Sequence, residues 1–225
     1  MPSSPTWPEI SPHSCVIIPV GSFEQHGPHL PLDTDTQIAS YLCATATQNI
    51  DNLVIAPAIS ISASGEHAGF PGTISLGTDV FTTVIVELVR SCDWAAGVIL
   101  VHGHGGNLAA VQRATTFLHS EQRNIASWWP RLQGADAHAG HTETSLMLAI
   151  NPHSVRIDEL DIGNVQSMSE IQLLLQTQGV QAVSPNGILG DARNATAEHG
   201  DELLSELAND LRTFIHATHK QWSIA

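Results

Sequence analysis

The segment Gly97-Val-Ile-Leu-Val101, followed at once by His102-Gly-His-Gly-Gly-Asn107, restricts the fold more than any other part of the chain. A short, uninterrupted apolar run of this kind marks a strand buried on both faces, as in parallel sheets covered by helices on each side. A helix is predicted to follow from near Leu108 to Glu121. The same grammar recurs upstream: Cys15–Val20 reads as a buried strand, a polar loop runs through Asp35, and a helix follows from Thr36 to about Asn49, with Ile38, Ala39 and Leu42 on one face. Further strands are expected at Leu53–Ile61 and Ile125–Trp129, and further helices at Asp79–Cys92, His141–Ile150 and about Asp201–Lys220. Strands alternating with helices predict a three-layer α/β/α sandwich with a mostly parallel central sheet, folded as a single domain over residues 1–225. Ligands in such sheets sit beyond the carboxyl ends of the strands, and both leading strands here deliver histidines to that end.

Composition narrows the partners. With 8 basic and 22 acidic residues the formal charge is −14, a surface that repels nucleic acid and anionic membranes. No run approaches the ~18 apolar residues of a membrane span. The N-terminal stretch MPSSPTWPEISPHS lacks the basic and apolar regions of a signal peptide. Cys15, Cys43 and Cys92 are odd in number and widely spaced, which predicts a reducing, cytoplasmic setting rather than a disulfide framework. Thirteen histidines against eight lysines and arginines point to metal chemistry.

Three clusters could supply it. Glu24-Gln25-His26 sets two ligand-capable side chains at i and i+2, on one side of an extended backbone. Asp33 and Asp35 repeat that spacing, and Asp35 falls at a helix start, where backbone amides would hold its carboxylate while it bridges two ions. Pro28 and Pro31 stiffen the loop between them. His29 is a further candidate, with a supporting or structural role as the alternative. In the second cluster His104 is the expected ligand and His102 a supporting residue. This glycine-rich turn lacks the lysine of a P-loop and the spacing of a dinucleotide fingerprint. Asn107 at its end, and His67 in the loop carrying Gly65, Gly69, Gly72 and Gly77, are candidates for substrate binding or ligand support. The third cluster holds His138 and Glu143, the latter either a ligand or a first-turn carboxylate favouring the helix dipole. Ser145 lacks the surroundings of a nucleophilic serine. Trp128 and Trp129 read as core. A mixed histidine and carboxylate set suits Zn, Mn or Fe(II). Two such ions sharing an aspartate would activate a water to attack a carbonyl, with a nearby histidine moving the proton.

In order along the chain, PVGSFEQHGPHLPLDTDT from Pro19, GEHAGFPGTISLG from Gly65, HGHGGN from His102 and DAHAGHTETSLML from Asp136 resemble the creatininase family of amidohydrolases. The resemblance runs from Val16 to about Leu204. It implies an α/β/α fold, often assembled as a hexamer, around a two-metal centre. Glu24 would lie on one ion, His26 on the other, and Asp35 between them, with His104 as a further ligand and His138 moving protons. Creatinine-hydrolysing members carry a glutamate where this chain has Gly106, so the missing carboxylate is assigned to Glu143. His102 stands where asparagine is common, and His141 where many relatives have glutamate. These departures turn the expected substrate away from creatinine. DAHAGHTETS and VSPNGILGDARNATAEHG are most like the mycofactocin-system peptidase branch of the family, which implies removal of a C-terminal Val-Tyr dipeptide from a modified precursor peptide. The alternatives are hydrolysis of creatinine or another small cyclic or formyl amide, and a non-catalytic metal-binding protein.

Overall fold

The structure is a computed structural model that describes residues 5–222. Residues 1–4 of the N-terminal stretch analysed above, and residues 223–225 of the expected domain, lie outside the described residues. Four parallel strands form the sheet: β1 (Cys15–Val20), β2 (Leu53–Ile55), β3 (Gly97–His102) and β4 (Ile125–Trp128), in the order β2-β1-β3-β4. Every residue of β1 and β3 is buried, as the unbroken apolar runs require.

Side chains leave the two central strands alternately. Cys15 and Ile17 of β1, with Ile99 and Val101 of β3, face a cluster built with α1 (Thr34–Ala46), α4 (His141–Ile150) and α7 (Ala197–Trp222). Val16, Ile18 and Val20, with Val98 and Leu100, face α2 (Gly77–Arg90) and α3 (Leu108–Ser120). Two helical layers therefore sandwich the sheet, and the period-two alternation of the strands assigns each side chain to one layer. In α7 the buried Leu204, Leu207, Leu211 and Ile215 recur at three- and four-residue steps, the stripe that a helix against a sheet needs. Each such side chain contributes about 1.5–3 kcal/mol when fully buried.

Three elements depart from the sequence expectation. The second strand stops at Ile55 rather than Ile61, because Pro57 has no N–H to continue the ladder; an isolated bridge joins Val20 to Ile59 beyond it. The helices α5 (Met168–Gln178) and α6 (Val180–Val183) had no sequence expectation. Ser167 and Glu170 form a capping box at the start of α5, but Ile171 is its one buried residue, so the helix carries almost no apolar period.

The register sets the site. Val20 pairs with His102, so the polar loops after β1 and β3 leave the sheet side by side. They pass so closely that a Cβ on Gly103 would lie 2.4 Å from the Asp35 carbonyl oxygen. Gly103→Ala is expected to destabilise the fold by about 1–3 kcal/mol, since backbone and not a flexible side chain must move. Thermal unfolding measures it, and an unchanged midpoint would show that α1 shifts freely.

Candidate metal centre

The candidate ligands are delivered by several separate pieces of the fold. Glu24 and His26 lie in the loop after β1, both with no exposed surface. The Glu24 N–H donates to the Leu32 carbonyl at 2.9 Å, which closes that loop on itself. Asp35 sits in the first turn of α1 and is 1% exposed. Its Oδ2 accepts from the Ser22 hydroxyl at 2.7 Å, so a side chain holds it and not the backbone amides expected from its position. His104 follows β3, His67 ends a 3-10 turn at Gly65–His67, and His138 precedes α4. Glu143 occupies the first turn of α4, where its Oε2 accepts from the Ala139 N–H at 2.5 Å.

These side chains converge. His104 Nδ1 lies 3.0 Å from Glu24 Oε1 and 3.3 Å from Asp35 Oδ2. His26 Nε2 lies 3.1 Å from Asp35 Oδ1 and 4.0 Å from Glu143 Oε2. Two groups could each hold a divalent ion, Glu24–Asp35–His104 and His26–Asp35–Glu143, and they share Asp35. A third grouping, Glu24–His26–His138, overlaps them. The chemistry of Glu24 tests the fit. His104 and His67 approach its Oε1 at 3.0 and 3.3 Å, yet neither contact has hydrogen-bond geometry, and both carboxylate oxygens are buried without a donor. A fully enclosed carboxylate in that state calls for a cation, and the surrounding nitrogen and oxygen atoms are the ligands a zinc-like ion takes.

The electrostatics of these side chains agree. Burial alone would depress His26, but the Asp35, Glu143 and Glu24 carboxylates reverse this and carry it up to about 10. His104 is raised well above the usual histidine range against the same burial cost, chiefly by Glu24 and Asp35. Burial opposes the charge of Asp35, yet His26 and His104 hold its carboxyl well below the usual range. Burial pushes Glu143 up to about 7, although 22% of its side chain stays open to the cleft. His138 is driven well below the ordinary range by burial and by the neighbouring His26 and His67, so it is a neutral base at pH 7.

Gln25 determines which nitrogen of His138 carries the proton. Its Oε1 accepts from the Gly27 N–H at 2.9 Å, which orients the amide. The Nε2 group then faces His67 Nδ1 at 2.9 Å, the Gly187 carbonyl at 3.0 Å and His138 Nε2 at 3.1 Å. Two hydrogens cannot serve three acceptors. His138 Nε2 has its own acceptor, the Gln25 carbonyl at 2.9 Å, so it is the donor. That leaves His138 Nδ1 bare, 3.9 Å from Glu143 Oε2. Replacing Gln25 with leucine is expected to lower kcat roughly 10–100-fold with metal content retained, because His67 Nδ1 and the Gly187 carbonyl lose the amide that orders the pocket around His138, while the main-chain carbonyl that fixes the His138 tautomer stays. Steady-state kinetics with metal analysis checks this, and an unchanged kcat would remove Gln25 from the arrangement.

Of the other sequence candidates, His67 joins the cluster, 3.3 Å from Glu24. His29 is buried but bonded to Thr144 Oγ1 at 2.8 Å, outside all three metal groupings. Burial lowers it to about 4. His102 faces away, stacked on Trp129 with ring centroids 3.8 Å apart, and burial lowers it to about 3. Asn107 is structural: its Oδ1 accepts from the Ala63 N–H at 3.1 Å and ties two loops together. His141 points to the Asn194 carbonyl at 3.1 Å. Trp128 is core, with its indole N–H donating to Asp210 at 2.7 Å. Three residues had no place in the sequence expectation. They are Gln25, Glu66 beside His104, and Asp136, whose carboxylate accepts from the His141 and Thr142 N–H groups and so caps α4. Gln25 sat between two named ligands, and position alone could have flagged it.

Comparison with known proteins gives a consistent result. Residues 3–215 match the creatininase family, described as creatinine amidohydrolase. A mycofactocin precursor peptide peptidase from Mycolicibacterium smegmatis is 46% identical over 201 residues, covering 86% of this chain and 81% of its own. A solved creatininase mutant of Zn-Zn type superposes with a TM-score of 0.75 at 22% identity, covering 91% of this chain and 90% of the other. A manganese creatininase gives 0.72 at 20% identity, with 91% of each chain covered. With a family match across almost its whole length and a three-layer fold to go with it, this chain belongs to the creatininase family of metal-dependent amide hydrolases.

Proposed function

We propose that this protein removes the C-terminal Val-Tyr dipeptide from a modified mycofactocin precursor peptide, using two divalent ions held by Glu24, His26, Asp35, His104 and Glu143. The observation that carries the reaction class is the pair of ligand groups meeting at Asp35 on the floor of an open cleft. The cleft encloses about 980 Å³, at the upper end of the ~300–1,000 Å³ range of small-molecule sites and far larger than a single small amide ring needs. Together with the 46% identity to a precursor peptide peptidase, that size favours a peptide over creatinine.

When bound, Zn, Fe(II) or Mn supplies a Lewis acid for the carbonyl and lowers the pKa of a water. The chain does the rest. His138, neutral and bare at Nδ1, takes the proton of the attacking water and returns it to the departing amine. The main-chain carbonyl of Gln25 holds that ring in place by accepting from its Nε2–H, and Glu143 partners it from across the cleft floor. His67 packs its ring beside Glu24, with Nε2 3.3 Å from Oε1, and limits the room in which that ligand can move. Among the described residues no helix is long and apolar enough to cross a membrane. A cytoplasmic homo-oligomer, a hexamer by family resemblance, completes the reading.

The test is direct. Protein loaded with zinc, Fe(II) or manganese is incubated with the modified precursor peptide, with unmodified peptide and with creatinine, and products are read by mass spectrometry. Release of the dipeptide-derived product is expected. Turnover of creatinine without peptide cleavage would overturn the substrate, and metal uptake without hydrolysis of any amide would overturn the enzyme.

A further inference from the structure

The cleft has an outer half that the proposed chemistry does not use. Its inner half is the ligand cluster; its outer wall is formed by α5, α6 and the start of α3. Five glutamines line it: Gln112, Gln172, Gln176, Gln178 and Gln181. None of their side-chain amides has a hydrogen-bond partner among the described residues. Among the described residues no lysine or arginine lines the cleft, and Glu66 is its one carboxylate outside the metal groupings.

Glu66 is held where it is by its neighbours. A Cβ on Gly106 would lie 1.9 Å from its Oε1, so the carboxylate fills the space that a side chain at 106 would take. A Cβ on Gly179, at the junction of α5 and α6, would lie 2.7 Å from the Glu66 carbonyl oxygen, so these helices pack directly on its turn. The nearest donor, His104 Nε2, is 3.4 Å from Glu66 Oε1 but 3.0 Å from the Ala63 carbonyl, which is the better acceptor. The carboxylate, 29% exposed, therefore keeps lone pairs for the cleft.

We propose that this outer half is a binding site for an extended, uncharged peptide segment of the substrate, with Glu66 accepting from a backbone N–H and the glutamine amides pairing with the rest of the main chain. A peptide backbone alternates N–H and C=O, and a glutamine amide offers one of each kind of partner without charge. A site with free amides and one carboxylate recognises main chain, and an acidic side chain beside Glu66 meets like-charge repulsion that no lysine or arginine of the cleft lining relieves. The inference rests on the peptidase reading for its substrate, but binding is measured apart from cleavage.

The experiment uses zinc-loaded full-length protein carrying His138→Ala, so that binding is read without turnover. Two probes are titrated by calorimetry: an acetylated, amidated hexapeptide of alanine and glycine, and the same peptide with aspartates at alternate positions. The neutral peptide is expected to bind, and the acidic one at least tenfold more weakly. Adding Glu66→Gln should shrink that difference below threefold. Adding Gln172→Ala with Gln176→Ala should weaken both peptides about equally, by fivefold or more, with zinc content unchanged. Absence of neutral-peptide binding, or binding that neither set of changes alters, overturns the proposal. Failure of the peptidase reading looks different: the neutral segment binds with this pattern, yet the otherwise unaltered enzyme cleaves no peptide.

Discussion

Asp35→Ala is expected to strip both ions from the protein and abolish hydrolysis. Asp35 is the member common to both ligand groups, with one oxygen 3.1 Å from His26 and the other 3.3 Å from His104. Every other ligand candidate except His26 and Glu24 touches a single group, and those two recur only in the overlapping grouping with His138. Removing one partner from a buried charge cluster costs about 3–5 kcal/mol, equivalent to roughly 10²- to 10⁴-fold in metal affinity. Metal analysis after dialysis should therefore find less than one ion per chain, where the unaltered protein is expected to hold two. Asp33→Ala is the control, because Asp33 is the N-cap residue of α1 and its carboxylate takes its bond from Gln37 at 2.8 Å, away from the cluster. Two tightly held ions in Asp35→Ala would show that the groups do not share this residue.

His138→Ala is expected to lower kcat by about 10²–10⁴-fold, the usual worth of a positioned proton carrier, with KM and metal content little changed. The ring is buried, neutral and bare at Nδ1, which suits a group that accepts and returns a proton. The same residue also lies with Glu24 and His26 in a grouping that could hold an ion. Metal content separates the two roles. Loss of one ion in His138→Ala makes it a ligand, whereas full occupancy with a collapsed kcat makes it the proton carrier. Partial rescue by added imidazole would support the second. Activity within threefold of the unaltered enzyme would exclude both.

The metal-site candidates were legible because they lie in short motifs attached to strands with unmistakable apolar runs. Glu24, His26 and Asp35 follow β1, and His104 follows β3, so local sequence and a general rule about strand ends were enough to nominate them. The same logic over-reached at His102 and His29. The histidine at the last position of β3 turns onto Trp129 beyond β4, and the one three residues after His26 points to α4; neither orientation is encoded locally. The wall of the cleft was not legible at all, because α5 buries little and its glutamines carry no period.

What the amino-acid sequence determined by itself was the alternation of buried strands and amphipathic helices, and the residue types able to bind metal. Those follow from hydrophobic period and side-chain chemistry, which act over a few residues. Tertiary structure decided which of thirteen histidines share a space, that Asp35 lies between two ligand groups, and that Glu66 takes the room left by Gly106. Those facts depend on the parallel register of β1 and β3 and on backbone approaches of a few ångströms between segments far apart in sequence. No local pattern encodes them, because each arises only when the sheet has formed and its loops are pressed together.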